Sequence, residues 1–272
     1  MSGNSESTKP KRSREEAGIE EEPCVLKRSA RDGRGNLRDR LSAAFKNIFW
    51  QVGVRHRLKP LCAKPKLAKL LHSNPNIWLL EEFITENQME RLEKVIPSWD
   101  NFQASFSEDV TGLAVFDEHR TSKFHSFSKS QTPIVRDIES KAANATGLFH
   151  FQVEPPQVVK YEPGEKHGLH HDAGAIVEEE GGITIKLPPS DLPLRVATVF
   201  LYLNDMPPGE GKTVFPELNL SVTPKRRSAL VFANITEDGS PDPRTVHEAR
   251  PPSSQRKVGM NLWLTDREHR EN

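Results

Sequence analysis

From residue 157 onward the chain breaks into short β-rich runs separated by Pro, Gly, Asn or Asp. This pattern limits the possible fold more than any other feature. The runs cover residues 157–161, 166–172, 194–203, 212–216, 218–223, 228–233, 245–248 and 257–265. Eight candidate strands are the number a jelly roll needs. The longest interruption, residues 173–193, carries Glu178, Glu179, Glu180, Gly181 and Gly182 and then Pro188-Pro189. A loop of that length inside a β-domain is expected to be a functional lid or a disordered insertion.

Two helices are expected ahead of the strands. Thr85 and Gln88 have capping-box spacing, and Met89, Leu92 and Val95 follow at helical period. Thr132 then fits the N-cap of a second helix with Pro133 at its first position. Ile134, Val135, Ile138 and Ala142 form its apolar stripe, and Gly147 stops it. The resulting expectation is an α+β domain over residues 75–266, a double-stranded β-helix (jelly roll) core with flanking helices. A chain of 272 residues accommodates one such domain and a tail.

The tail differs in charge from the body. Residues 1–72 carry 17 Lys+Arg against 8 Asp+Glu, a net of +9, and the overall balance of 38 against 38 leaves the remainder at −9. Residues 1–35 are polar and poor in large apolar groups, so a disordered basic N-terminal leader is expected. Its segment from Lys9 to Arg14 fits either an import signal or, in preference, a solvated tail. Residues 36–74 are expected to form an amphipathic helix and linker, with Leu37, Leu41, Ala44, Phe45 and Ile48 on one face after Asn36. That helix either docks on the body, the favoured expectation, or makes a weak contact with nucleic acid.

Both cysteines, Cys24 and Cys62, fall within the basic residues 1–72, which suits a reducing compartment. The first thirty residues lack an apolar core, and no stretch of eighteen apolar residues occurs. A cytoplasmic or nuclear protein without membrane contact is expected.

Chemistry concentrates in residues 161–174, Tyr-Glu-Pro-Gly-Glu-Lys-His-Gly-Leu-His-His-Asp-Ala-Gly, which hold three of the ten histidines. Side chains alternate along a strand, so His170 and Asp172 share a face and His171 points away. Two donors hold a metal weakly, and a lone His-x-Asp is weak evidence. His247, in a distal strand-like run, supplies the third donor. Two imidazoles and one carboxylate on a single face leave coordination positions open, the pattern of non-haem Fe(II) oxygenases.

Ten residues after His247 stands Lys257. Parity puts Lys257, Gly259, Asn261 and Trp263 on one face of the last run, and Val258, Met260, Leu262 and Leu264 on the other. If the aliphatic face packs on the helices, Lys257 points into the barrel, where an unpaired ammonium is costly. A dicarboxylate cosubstrate would chelate the metal at one end and neutralise Lys257 at the other. Arg256 competes for that task but faces the opposite side. Spacing alone leaves Tyr161 equally as a donor to the same carboxylate or an ordinary buried aromatic.

The order Gln157-Val-Val-Lys-Tyr161-Glu-Pro-Gly164, His170-x-Asp172, Arg195 to Asp205, Gly209 to Pro216, and His247 with Lys257 resembles the catalytic domain of prolyl 4-hydroxylases. Arg120-Thr-Ser122 upstream is similar too. The resemblance covers residues 75–266. It implies a 2-oxoglutarate- and Fe(II)-dependent dioxygenase that hydroxylates proline in a protein or peptide substrate, releases succinate and CO2, and is helped by L-ascorbate. By the same resemblance His170, Asp172 and His247 bind the metal, Lys257 binds the distal carboxylate and Tyr161 assists. Val258 and Leu262 depart from the family pattern, which expects an aromatic and a basic residue there, and an altered pocket floor is expected. Two other functions stay open: a related dioxygenase acting on nucleic acid or another protein residue, and an inactive barrel kept for binding.

Overall fold

A computed structural model describes residues 67–108, 114–116, 118–180, 182–189 and 191–268. The expected tail and helix at residues 1–66 lie outside the described residues.

Strands β1 (Ala68–Ser73) and β2 (Asn76–Leu80) lead into helix α1 (Glu86–Glu93). Next come β3 (Gln103–Ala104), β4 (Ser107–Glu108), β5 (Ala114–Val115), β6 (Lys123–Ser126) and helix α2 (Pro133–Thr146). The remaining strands are β7 (Gln157–Tyr161), β8 (His167–His170), β9 (Ala175–Glu179), β10 (Gly182–Lys186), β11 (Arg195–Tyr202), β12 (Thr213–Phe215), β13 (Leu220–Val222), β14 (Ala229–Ala233), β15 (His247–Ala249) and β16 (Lys257–Thr265). They form an eight-stranded sheet in the order β1-β2-β14-β11-β16-β7-β6-β3 and a four-stranded sheet in the order β13-β12-β15-β8. Two ribbons, β9–β10 and β4–β5, pair separately.

Each of the eight expected runs coincides with one strand, β15 extending one residue past its run. Four fall in the large sheet (β7, β11, β14, β16) and four make up the small one (β8, β12, β13, β15), as in a jelly roll. Two stretches differ from expectation. Residues 68–73, assigned to the linker, pair with β2 at the edge of the large sheet. Residues 173–193 are not one long loop, because 175–186 fold back as the β9–β10 hairpin. Of the hairpin side chains described, only Ile185 is buried, so little apolar alternation marks it.

Both helices start on local chemistry, and the second also stops on it. Gln88 N–H donates to Thr85 Oγ1 (3.2 Å) and Thr85 N–H to Gln88 Oε1 (3.1 Å), closing the capping box of α1. Val135 N–H donates to Thr132 Oγ1 at 3.3 Å to cap α2, and Gly147 ends that helix at φ 72°, a conformation that favours glycine. The α2 stripe of Ile134, Val135, Ile138 and Ala142 shares a core with Met260, Leu262 and Leu264 of β16. Each such burial is worth about 1.5–3 kcal/mol for a large aliphatic side chain, so this face fixes which side of β16 turns inward. A second core joins the sheets, with Phe215 and Val222 from the small one and Ile77, Tyr202, Leu230 and Phe232 from the large one. The site opens beside this second core. No helix among the described residues is long and apolar enough to cross a membrane.

Candidate active site

His170 ends β8 and His247 begins β15, and the two are paired across the small sheet. Their rings face the same side with centroids 4.2 Å apart. Asp172 lies in the turn just past β8 rather than in the strand, yet it reaches the same side. Its Oδ1 is 3.7 Å from His170 Nε2 and its Oδ2 is 3.9 Å from His247 Nε2. One donor atom from each residue lies within 4.8 Å of the others, the one such cluster among the described residues.

Backbone carbonyls orient both imidazoles. His170 Nδ1 donates to Gly168 O (2.8 Å) and His247 Nδ1 donates to Thr245 O (2.9 Å), which leaves each Nε2 lone pair turned toward Asp172. Burial, then repulsion from His247, holds His170 well below the ordinary imidazole pKa. Burial works against the Asp172 carboxylate, but His247, His170 and a hydrogen bond from Thr198 outweigh it and bring it down to about 2. Neutral imidazole beside carboxylate is the protonation state that a divalent metal requires. His171 turns away, as parity requires, and is buried with Nε2 3.1 Å from Asp242 O and Thr245 Oγ1.

Across the cavity lies Lys257, fully buried at the start of β16. Among the described residues its Nζ has no hydrogen-bond partner, and burial pulls its pKa down to about 7. The ammonium lies 5.1 Å from the Tyr161 ring centroid and 5.7 Å from that of Phe200. Such an ammonium calls for an anion, and a bare His-Asp-His face calls for a cation. A small molecule with a chelating end and a carboxylate end satisfies both.

Residues 156–265 match the family model of the 2OG-Fe(II) oxygenase superfamily. That match likens this stretch to a 2OG-Fe(II) oxygenase domain. The chain is similar to probable prolyl 4-hydroxylase 4 of Arabidopsis thaliana, at 28% identity over 225 residues, 74% of this chain and 70% of the relative. It is also similar to prolyl 4-hydroxylase subunit alpha-1 of Gallus gallus, at 29% identity over 193 residues, 71% of this chain and 36% of the relative. Among solved structures, the viral collagen prolyl hydroxylase of Paramecium Bursaria Chlorella virus-1 in its 2OG complex superposes with a TM-score of 0.49 at 19% identity. That match covers 70% of this chain and 95% of the viral one.

Within the matched stretch the expected residues converge. Tyr161 lines the same cavity as the triad and Lys257, 4% exposed, and burial pushes its hydroxyl up to about 12, so it stays neutral. Arg256 turns to the outer side, where its Nε donates to Glu162 Oε1 at 2.7 Å and its guanidinium lies 4.9 Å from the Trp99 ring centroid. Val258 and Leu262 do not shape the pocket floor, contrary to expectation. Both point into the core shared with α2, because the period of two puts them opposite Lys257.

Further residues line or support the cavity beside those expected to act in it. Thr198 Oγ1 donates to Asp172 Oδ2 at 2.6 Å, and Asn234 Nδ2 donates to Thr198 Oγ1 at 3.1 Å, so a relay from the large sheet steadies a donor of the small one. Arg120 lines the cavity and donates to Phe106 O at 2.7 Å, and Tyr202 Oη donates to the cavity-lining Thr213 Oγ1 at 2.9 Å. His167 stacks on His170 with centroids 3.5 Å apart. The parity of β11 and β16 places Thr198, Asn261 and Trp263 inward, but only the fold reveals what they touch.

Proposed function

We propose that this chain hydroxylates proline residues in a protein or peptide substrate, using Fe(II), 2-oxoglutarate and dioxygen. The observation that carries the proposal is the pairing of a three-donor metal face with an unpartnered buried ammonium across one cavity. Iron, when bound, couples the oxidative decarboxylation of 2-oxoglutarate to succinate and CO2 with hydroxylation of a C–H bond.

His170, Asp172 and His247 hold the metal on one face and leave the others to ligands. Lys257 binds the distal carboxylate through a charge-assisted hydrogen bond, and the neutral Tyr161 hydroxyl donates to the same group. Phe200, Leu230 and Phe232 line the cavity with apolar surface, which limits water. No side chain acts as general acid or base. The preference for proline rests on the similarity to prolyl 4-hydroxylases of plants and animals. L-Ascorbate as the reductant that maintains the ferrous state, and a cytoplasmic or nuclear site of action, belong to the same proposal.

The test is succinate formation with proline-rich peptides, with and without Fe(II). Turnover that depends on iron and peptide and is lost in Asp172→Ala with the fold intact supports the proposal. Full turnover in Asp172→Ala overturns the metal face. Turnover on single-stranded nucleic acid alone, or an iron- and 2-oxoglutarate-binding chain with no turnover, overturns the substrate assignment.

A further inference from the structure

Strand β11 ends at Tyr202, opposite Gly259 of β16, and the next backbone bond runs from Leu203 N–H to Val258 O at 3.0 Å. Beyond it the two chains part. The Asn204 side chain takes over where the ladder stops. Its Oδ1 accepts the Val258 N–H at 2.7 Å, and its Nδ2 donates to Arg256 O at 2.8 Å. These two contacts bracket Lys257 on its N-terminal and C-terminal sides.

The geometry points to Asn204 as a positioning residue for Lys257, holding the backbone from which the lysine reaches the distal carboxylate of 2-oxoglutarate. The inference rests on the role proposed above for Lys257. Lys257 is the first residue of β16, and its other backbone neighbour is Tyr161 of β7. Without Asn204 that strand end is held from one side only. Lysine reaches its ligand through a flexible four-carbon stem, so the aim of Nζ depends on how firmly its Cα is fixed. An asparagine amide suits the position because it presents one acceptor and one donor side by side, matching the N–H and C=O of an extended chain.

Neighbouring contacts stiffen the same junction. Gln255 Nε2 donates to Asp205 O at 2.7 Å, and Glu210 Oε2 accepts the N–H groups of Ser253 and Ser254 at 3.0 and 2.9 Å. Asn204 grips both peptide units beside the lysine from the β11 side, opposite Tyr161 of β7. Asn204→Asp keeps the acceptor toward Val258 and sets an oxygen against Arg256 O, so it breaks one arm of the bracket at nearly constant volume.

The test is calorimetric titration of the full chain loaded with Mn(II). The ligands are 2-oxoglutarate and 2-oxobutanoate, which keeps the keto acid and lacks the distal carboxylate. Asn204→Asp is expected to weaken 2-oxoglutarate about tenfold, the scale of one broken and one repulsive contact. Affinities for 2-oxobutanoate and Mn(II) stay at the parent values, and the effect disappears in a Lys257→Met background. Asn204→Ala serves as the second variant and shows the same selectivity. If Lys257→Met weakens 2-oxoglutarate and neither Asn204 variant does, the inference is overturned. If Lys257→Met has no effect, the role of Lys257 itself fails. Equal weakening of both acids and of Mn(II), or failure of both variants to fold, overturns the inference too, because Asn204 would then support the domain at large.

Discussion

Tyr161 and Lys257 are direct partners across the β7–β16 ladder, and the Lys257 ammonium lies 5.1 Å from the Tyr161 ring centroid. Residues opposite one another in an antiparallel pair project to the same face. The phenol and the ammonium therefore enter the cavity side by side, one neutral donor and one charge.

Replacing Lys257 by Met is expected to raise the 2-oxoglutarate requirement by about a hundredfold, since removing one partner of a buried charge pair costs roughly 2–5 kcal/mol. The iron requirement stays at the parent value. With no ligand present the variant melts no lower than the parent, because an unpartnered buried ammonium is itself a cost. Steady-state kinetics and a thermal melt check the three statements, and an unchanged 2-oxoglutarate requirement refutes the first.

Burial lowers Lys257 from the ordinary 10.5 to about 7. Between those values the unfolded chain binds one proton more than the folded chain, so the Lys257 contribution to stability rises with pH across that window. Binding the distal carboxylate requires the charged form. Affinity for 2-oxoglutarate on the Mn(II)-loaded chain should then fall above about pH 7, approaching tenfold per unit. A titration series from pH 6.5 to 9 reads this directly, and a flat profile refutes it.

Thr198→Val removes the hydroxyl that donates to Asp172 Oδ2. Loss of a partner that orients a metal donor typically costs 10- to 100-fold in metal affinity, and that is the expected drop for Mn(II) or Fe(II). The hydroxyl holds the carboxylate rather than the cosubstrate, so metal-saturated protein should bind 2-oxoglutarate nearly as before. Unchanged metal affinity would rule out the relay.

Gly259→Ala places a Cβ 2.2 Å from Phe200 Cζ. The ring lines the cavity and must move, at a cost of about 1–3 kcal/mol for forcing atoms into a packed site. A lowered unfolding midpoint together with weaker 2-oxoglutarate binding is expected. A midpoint equal to the parent's would show that the ring is free to yield.

Parts of this molecule are legible in its sequence alone. The bounds of β7 and β16 agree with the expected runs 157–161 and 257–265, because Pro and Gly punctuate the chain around them and β-branched or aliphatic residues fill them. The parity that turned Lys257 inward and Arg256 outward held because α2 covers one face of β16. Less was legible where tertiary contact decides. The β9–β10 hairpin has little buried apolar surface to announce it, and β1 exists as a strand because β2 pairs with it. Asp172 sits beyond the end of its strand, so alternation alone did not settle its direction. The partnership of Thr198 with Asp172 joins two sheets and leaves no trace in local spacing.

The His-Asp-His face hangs from the small sheet and its margin, whereas the ammonium of Lys257 hangs from the large one. The cores that lock those sheets together also fix the gap between the two anchor points. The cavity is thereby a gauge of carbon-chain length. On the proposed roles of the triad and Lys257, a keto diacid one methylene shorter or longer than 2-oxoglutarate is expected to meet only one anchor well, which leaves selection among such acids to how the sheets are stacked.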